Sequence, residues 1–562
     1  MRTSAPRSRL FLVALVSGFV LLTGCTTEKI VFRDRDPFNP PPDPSSGFLG
    51  YFTAADRQTT CGNCHVGQQQ DWVQTKHADA WTDLQANPGA QPFCQACHTV
   101  NSRGNQPLAA VGYDKVKDVA YHDVQCESCH GPGFDHVQNP TLLANQPIPS
   151  ILISPTSAVT ASDTAGIVNS GCGGCHQGAG PSQNHNYLKE WLSSRHGQLR
   201  AAQAANPSCQ PCHEGKGALR AWGVNTVYQE LGSNTLLTQN CAVCHDPHGT
   251  AKDANGQPLP GQLRFPINEA VLEVNLCTRC HNNRSEPLPT NSRGPHGAQG
   301  PVLFGSAGYF PPGTLYDTTE ILTTHGSVAN TRLCAGCHVN RLSGVDAGGN
   351  PTSFSGHTFH PLPCLSQKSP PVVDTTFTNG CPLDEASRSW GACTASGCHG
   401  SEAIAVQRLE SISGERDGYI NTLWVDVDHD QKVDAFPADS GYLPKILLNL
   451  PTELAFDTLL DPVNARRLTP AKGAMFNAQL LGESLTGHPD GSHGVHNPFL
   501  YRALLQSSIA DLLANYGAFL PAPPPAVLAQ IQAAMRSGQL RMVPRTQQAV
   551  LNLTAGGQVG SH

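Results

Sequence analysis

Along this 562-residue chain, apolar positions recur with a helical period most clearly in three stretches. QQQDWVQTKHADAWTDLQAN, residues 68–87, sets Trp72, Val73, Lys76/His77 and Trp81 at near-helical spacing, which predicts a helix with His77 projecting from it. NYLKEWLSSRHGQLRAAQAA, residues 186–205, repeats the design with Leu188, Trp191, Leu192 and His196 on related faces. FLYRALLQSSIADLLANYGAFL, residues 499–520, predicts a third amphipathic helix near the C-terminus. Such stripes ordinarily face a core, and a helix covering a flat cofactor can both pack on it and carry its ligand.

Elsewhere the pattern dissolves into turn residues. There are 54 glycines and 45 prolines, with 14% charged and 6% aromatic residues, against about 25% charged in an average chain. The length would suit several domains, but so few large apolar side chains struggle to build cores of their own. Something other than polypeptide is expected to supply the interior.

The cysteines name it. C-x-x-C-H recurs eight times, at Cys61, Cys64 and His65; Cys94, Cys97 and His98; Cys126, Cys129 and His130; Cys172, Cys175 and His176; Cys209, Cys212 and His213; Cys241, Cys244 and His245; Cys277, Cys280 and His281; and Cys334, Cys337 and His338. A ninth, stretched version has four residues between Cys393 and Cys398, followed by His399. A redox dithiol needs no histidine behind the second cysteine, and tetrahedral zinc normally takes its remaining ligands from a distant cluster. Covalently attached haem c uses all three residues, two thioethers and one imidazole beneath the iron. The expected fold is therefore mainly α and irregular, a cofactor-dominated chain of short helices and long loops wrapped around about nine stacked haems and largely disordered without them.

Fifteen of the 24 histidines lie outside the motifs, and only four methionines exist, so a second histidine is the expected sixth ligand of most irons. The favoured distal residues are His136 in GPGFDH, His248 in CHDPHG, His296 in RGPHGAQG, His325 in THGSV, and one of His493 and His496 in GSHGVHNP, all beside small residues. His77 and His196 come from the predicted helices, and His122 and His185 complete the set. Gly131-Pro132-Gly133 reverses the chain after His130, so His136 is expected to serve a different iron from its sequence neighbour.

CGNCHVGQQQDWVQTKHADAW, then CQACH, then VQCESCHGPGFDH resembles the tetrahaem cytochrome c family of the hydroxylamine-oxidising pathway, over about residues 60–137. CAVCHDPHG and LCTRCH are similar to the paired arrays of other multihaem electron carriers, and HGVHNPFLYRALLQSSI to the closing segment of several such cytochromes. The resemblance implies electron transfer through closely stacked haems. Thr75 stands where the family has serine and five further haems are added, so the family's own redox partner is not implied.

The N-terminus reads as an address. Three arginines precede LFLVALVSGFVLL, which is too short to span a bilayer, and Leu22-Thr23-Gly24-Cys25 resembles the lipobox of bacterial lipoproteins. The expected layout is a lipoprotein signal over 1–24, a lipid-anchored proline-rich tether over 25–52, an eight-haem electron-transfer domain over 53–340, and a C-terminal domain over 341–562 with the ninth haem, a terminal helix and a candidate Cys364–Cys381 disulfide. The expected location is the outer membrane, on its periplasmic face or at the cell surface. A formal charge of −7 and the lack of any basic, aromatic-laced run speak against nucleic acid. Expected partners are redox proteins, among them other multihaem cytochromes or an outer-membrane porin. Asp426, Asp428, Asp430 and Asp434 match D-x-D-x-D-x-x-x-D, the spacing of a structural calcium loop, although Gln431 and Pro437 replace its usual glycine and glutamate. A solvated acidic loop is the favoured reading and a structural calcium the alternative.

An electron carrier is the favoured function, passing electrons along the haem chain towards a terminal or extracellular acceptor. A multihaem oxidoreductase acting on a small nitrogen or sulfur compound at a five-coordinate haem is the alternative. Multihaem nitrite reductases often carry a lysine in place of one motif histidine, and here all nine motifs end in histidine.

Overall fold

The computed structural model describes residues 38–553 except 104–109, 148–170, 178–185, 225–235, 375–379, 396–397 and the single positions 250, 328, 346, 350, 370, 458 and 460. The leader, residues 25–37 of the tether with Cys25, and His185 lie outside the described residues. Met1–Pro40 form one unit and Pro41–His562 another; the second carries every described element below. It is mainly helical, with short helices, irregular loops and three small sheets.

Around the first motifs the helices are brief because the sequence keeps interrupting them. The stretch predicted as one helix is α1 (Val66–Trp72), a tight turn at Lys76–Asp79, and α2 (Ala80–Ala86). Thr75 breaks it: its backbone is extended and its hydroxyl bonds the Trp72 carbonyl at 2.8 Å, the local competition that disfavours threonine inside helices. His77 therefore projects from the tight turn. Likewise α3 (Tyr187–Ser193) stops before an extended Ser194, leaving His196 in the turn beyond it. A further short helix, α4 (Gly215–Ala221), follows the fifth motif, its N-terminus capped by the Glu214 carboxylate.

The C-terminal region is built differently. α5 (Glu402–Leu423), α6 (Tyr442–Asn449), α7 (Pro470–Leu481), α8 (Pro498–Tyr516), α9 (Pro525–Ser537) and α10 (Pro544–Leu551) share one apolar core. Ser401, Thr469 and Asn497 cap α5, α7 and α8, and proline opens α7 and α8, the usual start signals. The predicted amphipathic α8 is buried nearly all round, with Leu500, Leu504, Ile509 and Leu512 fully enclosed, because α5, α7 and α10 cover its faces. Asn477 on α7 satisfies the backbone of Tyr309 in both directions and bonds Ser508 on α8. This region makes a core from its own side chains, contrary to the expectation drawn from composition.

The sheets are β1 (Tyr51–Thr53) with β2 (Gln58–Thr59); β3 (Leu315–Tyr316) with β8 (Leu540–Arg541); and four strands in the order β5 (Pro351–Phe354), β4 (Leu342–Val345), β7 (Pro371–Val373), β6 (Leu365–Lys368). A Cys364–Cys381 disulfide ties the start of β6 to the following loop. The β3–β8 pairing crosses the division expected at 340/341, and residues on both sides belong to the same unit. Among the described residues no helix is long and apolar enough to cross a membrane.

Candidate functional site

Each motif winds into a helical turn. The motif histidine N–H donates to the first cysteine's carbonyl at 3.0 Å in Cys61–His65, 2.8 Å in Cys172–His176, 2.9 Å in Cys209–His213 and Cys241–His245, and 3.1 Å in Cys277–His281. Cys126–His130 and Cys334–His338 are single α-turns. Positions three and four apart lie on one helix face, so the two thiols and the imidazole face the same way. The stretched motif closes over a wider span: His399 N donates to the Cys393 carbonyl, six residues back, at 3.1 Å.

Eight of the nine motif histidines face a second histidine. The ring centres are 6.3 Å apart for His65 and His136, 6.1 Å for His130 and His248, 6.3 Å for His176 and His77, and 5.9 Å for His213 and His296. They are 6.3 Å apart for His245 and His357, 6.2 Å for His281 and His196, 6.1 Å for His338 and His496, and 6.2 Å for His399 and His325. With a metal–nitrogen bond of about 2 Å, two imidazoles on opposite sides of one metal have ring centres about 6 Å apart; on tetrahedral zinc they would be about 5 Å apart. The spacing fits iron ligated from both faces of a haem. In every pair the second ring comes from outside its partner's own motif segment.

Burial favours the neutral form, the one that ligates metal, at many of these rings, whereas at His496 burial is outweighed by the Asp490 carboxylate, which raises the pKa. Burial lowers the pKa of His77, His245, His248, His281, His325 and His338, and takes His196, His296 and His357 down to about 4. Buried Nδ1 atoms of His136 and His296 have no hydrogen-bond partner among the described residues. Burial also pushes the Cys129 and Cys337 thiols up to about 11 and Cys244 up to about 12. Thiols of different motifs lie close enough to shift one another's pKa: Cys61 and Cys126, Cys97 and Cys175, Cys172 and Cys241, Cys212 and Cys280, and Cys277 and Cys334.

Buried carboxylates fix the loops that carry the distal rings. Glu127, inside the third motif, accepts N–H bonds from Leu49, Gly50 and Gly133, and its pKa rises to about 7 through burial. It thereby pins the turn leading to His136, where Gly131 has φ 81°, open to glycine at little cost. Glu190 on α3 accepts from Ser355 N at 2.7 Å, Ser355 Oγ at 2.7 Å and His357 N at 2.8 Å, and Ser355 Oγ lies 2.9 Å from His357 Nδ1.

Not every candidate histidine stands in such a pair. His122 stacks on Trp81 at 3.9 Å and tilts against Tyr113, and faces no motif histidine; the aromatic wall takes its ring. Of His493 and His496, His496 is the paired one, while His493 is half-exposed beside Glu483. His98 donates its Nδ1–H to the Ala80 carbonyl, 2.6 Å away, and among the described residues no second histidine faces it. His357 was not among the expected ligands. Its setting, Ser355-Gly356-His357, has the same small neighbours that marked His136 and His325.

Residues 60–131 match the family described as "Cytochrome c554 and c-prime". No curated protein and no solved structure matches the chain significantly. With the motif turns, the family match supports a c-type cytochrome with covalently bound haem c and a haem-based electron-transfer or redox role.

Glu190→Ala strands the Ser355 and His357 N–H groups in a buried position. Charge-assisted bonds and orphaned donors together put the expected cost at about 3 kcal/mol, measurable as a lower denaturant midpoint; an unchanged midpoint would count against the bracing role.

Proposed function

We propose that this chain is a nine-haem electron carrier of the outer membrane, passing electrons by tunnelling along closely spaced haems towards a terminal or extracellular acceptor. The observation that carries the reading is the set of eight facing histidine pairs at 5.9–6.3 Å. Irons ligated on both sides are coordinatively saturated and suited to passing electrons. The haem supplies the redox chemistry; the chain attaches it through paired cysteines, ligates it through paired histidines, and surrounds it with buried side chains that exclude water. The closed Cys393–His399 turn supports use of the ninth motif. Partners would be redox proteins, including other multihaem cytochromes or an outer-membrane porin. A redox enzyme of small nitrogen or sulfur compounds is the second reading, favoured only by His98.

The decisive measurement is intact mass with the spin state of the oxidised protein, expected to give nine haems with at least eight low-spin irons. His136→Ala should keep all nine haems, since attachment uses cysteines and the motif histidine, and convert one iron to a high-spin, ligand-binding form. An entirely low-spin spectrum in this variant would remove His136 from the ligand set.

Anchoring rests on the Leu22-Thr23-Gly24-Cys25 stretch. Cys25→Ala should release a soluble, fully haem-loaded protein, and retention in the membrane fraction would refute the lipoprotein assignment.

The acidic loop after α5 is read as a calcium site. Carboxylate oxygens of Asp426, Asp428 and Asp439 lie within 4.8 Å of one another, as do those of Asp428, Asp430 and Asp434. Asp426 is 4% exposed and its Oδ1 has no partner among the described residues. Chelator-treated protein should take up one calcium ion per chain, with Asp426→Asn binding about tenfold more weakly or worse; equal binding by the variant would dismiss the site.

A further inference from the structure

We propose that Asp490 makes the iron between His338 and His496 the lowest-potential centre of the chain. The inference rests on the two-histidine ligation proposed above and adds a property of one site.

The Nδ1 contacts of the paired histidines differ in kind. His130 contacts the Pro147 carbonyl at 3.1 Å, His245 the Gly261 carbonyl at 2.5 Å, His325 the Val495 carbonyl at 2.5 Å and His338 the Phe359 carbonyl at 2.9 Å. His281 contacts the Gln299 side-chain oxygen at 3.2 Å and His357 the Ser355 hydroxyl at 2.9 Å. These acceptors are all neutral. His496 alone among these presents Nδ1 to a carboxylate, Asp490 Oδ1, at 2.6 Å.

That carboxylate is enclosed and oriented. The Asp490 side chain is 3% exposed, its Oδ2 accepts the Ser492 hydroxyl, and its N–H donates to the Leu480 carbonyl at 2.8 Å, at the end of α7. The Ser492 hydroxyl also accepts the His496 N–H at 3.1 Å. Gln299, which contacts His281, donates weakly to the Pro489 and Asp490 carbonyls. The loop 487–497 is thus fixed from both sides, and its bend uses Gly491 and Gly494, both with positive φ.

A carboxylate accepting the Nδ1–H of a ligating imidazole gives the ring partial imidazolate character and raises its basicity. A more basic axial ligand favours the ferric iron, and hydrogen bonding of this kind is one of the protein's levers on potential. A neutral carbonyl does this less. Burial keeps the Asp490 charge from being screened by water. Asp490 acts through His496 and does not reach the iron, so it is a positioning residue.

The test is a potentiometric titration of the full-length haem-loaded protein, followed by optical and electron paramagnetic resonance spectra. Asp490→Asn keeps an oxygen at the site and removes the charge. The expected result is an upward shift of the lowest one-electron step, an altered g-anisotropy for one low-spin species, and an unchanged haem count; Asp490→Glu should restore the wild-type curve. The inference is overturned if no step moves while every iron stays low-spin, if a step other than the lowest moves, or if Asp490→Asn gives a high-spin iron, since the carboxylate would then only hold the ring. His496→Ala separates this from the underlying reading: if that variant produces no high-spin iron, His496 is not a ligand and the ligation proposal itself fails.

Discussion

The facing of paired imidazoles is the constraint around which the motif-bearing part of the chain is arranged. A ring-centre separation near 6 Å matches ligation from two sides of one metal. Meeting it brings together residues far apart in sequence: His65 with His136, His130 with His248, His245 with His357, His338 with His496. Several short segments serve two pairs at once. His130 and His136 lie on either side of one glycine-proline-glycine turn, and His245 and His248 lie three residues apart. Each such segment is a staple between two sites, so the pairs form long-range cross-links in a region with few apolar contacts of its own.

Two modes of construction meet in this molecule. In the motif-bearing part the apolar clusters are small, such as Phe48, Val100, Tyr113 and Tyr121, and buried carboxylates like Glu127 and Glu190 gather backbone N–H groups that neither helix nor sheet satisfies. A buried acid costs free energy unless it is hydrogen-bonded, and each of these holds three or more bonds. The C-terminal helices instead bury leucines, tyrosines and Trp424 in one large cluster. They also reach back to the motifs, through Asp490 beside His496 and through Val495, whose carbonyl meets His325. The bundle is a rigid backing for the eighth and ninth motifs.

The sequence was most informative where the chemistry is local. Spacing within C-x-x-C-H determines one helical turn, so the motif turns could be read directly, while the stretched motif closes over six residues instead of four. The facing histidines were legible where small neighbours betrayed a close approach, as at His136, His248, His296 and His325. His357 carried that same mark and was passed over. His122 stands outside the facing pairs: which surface a histidine meets depends on distant partners, here Trp81 and Tyr113. Helix extent was overestimated because apolar periodicity says nothing of a threonine hydroxyl that captures the backbone at Trp72. The bundle was underestimated because whole-chain composition averages a turn-rich part with a leucine-rich one.

The sulfur contacts carry the argument one step further. They connect the first motif to the third, the second to the fourth, the fourth to the sixth, the fifth to the seventh, and the seventh to the eighth. Electrostatic neighbours add the rest: Cys172 and Cys175 both feel Cys129, Cys277 and Cys280 both feel Cys244, and Cys393 feels Cys337. All nine motifs thus belong to one connected series. Order in space departs from order in sequence, since the third motif lies between the first and the fourth, while the second and fifth each join through a single sulfur contact. On the proposed reading, tunnelling between neighbours would follow a main line through motifs one, three, four, six, seven, eight and nine, with motifs two and five as side branches. His98, the motif histidine without a facing partner among the described residues, belongs to one of those branches. A departure from two-sided ligation there would leave the main line intact.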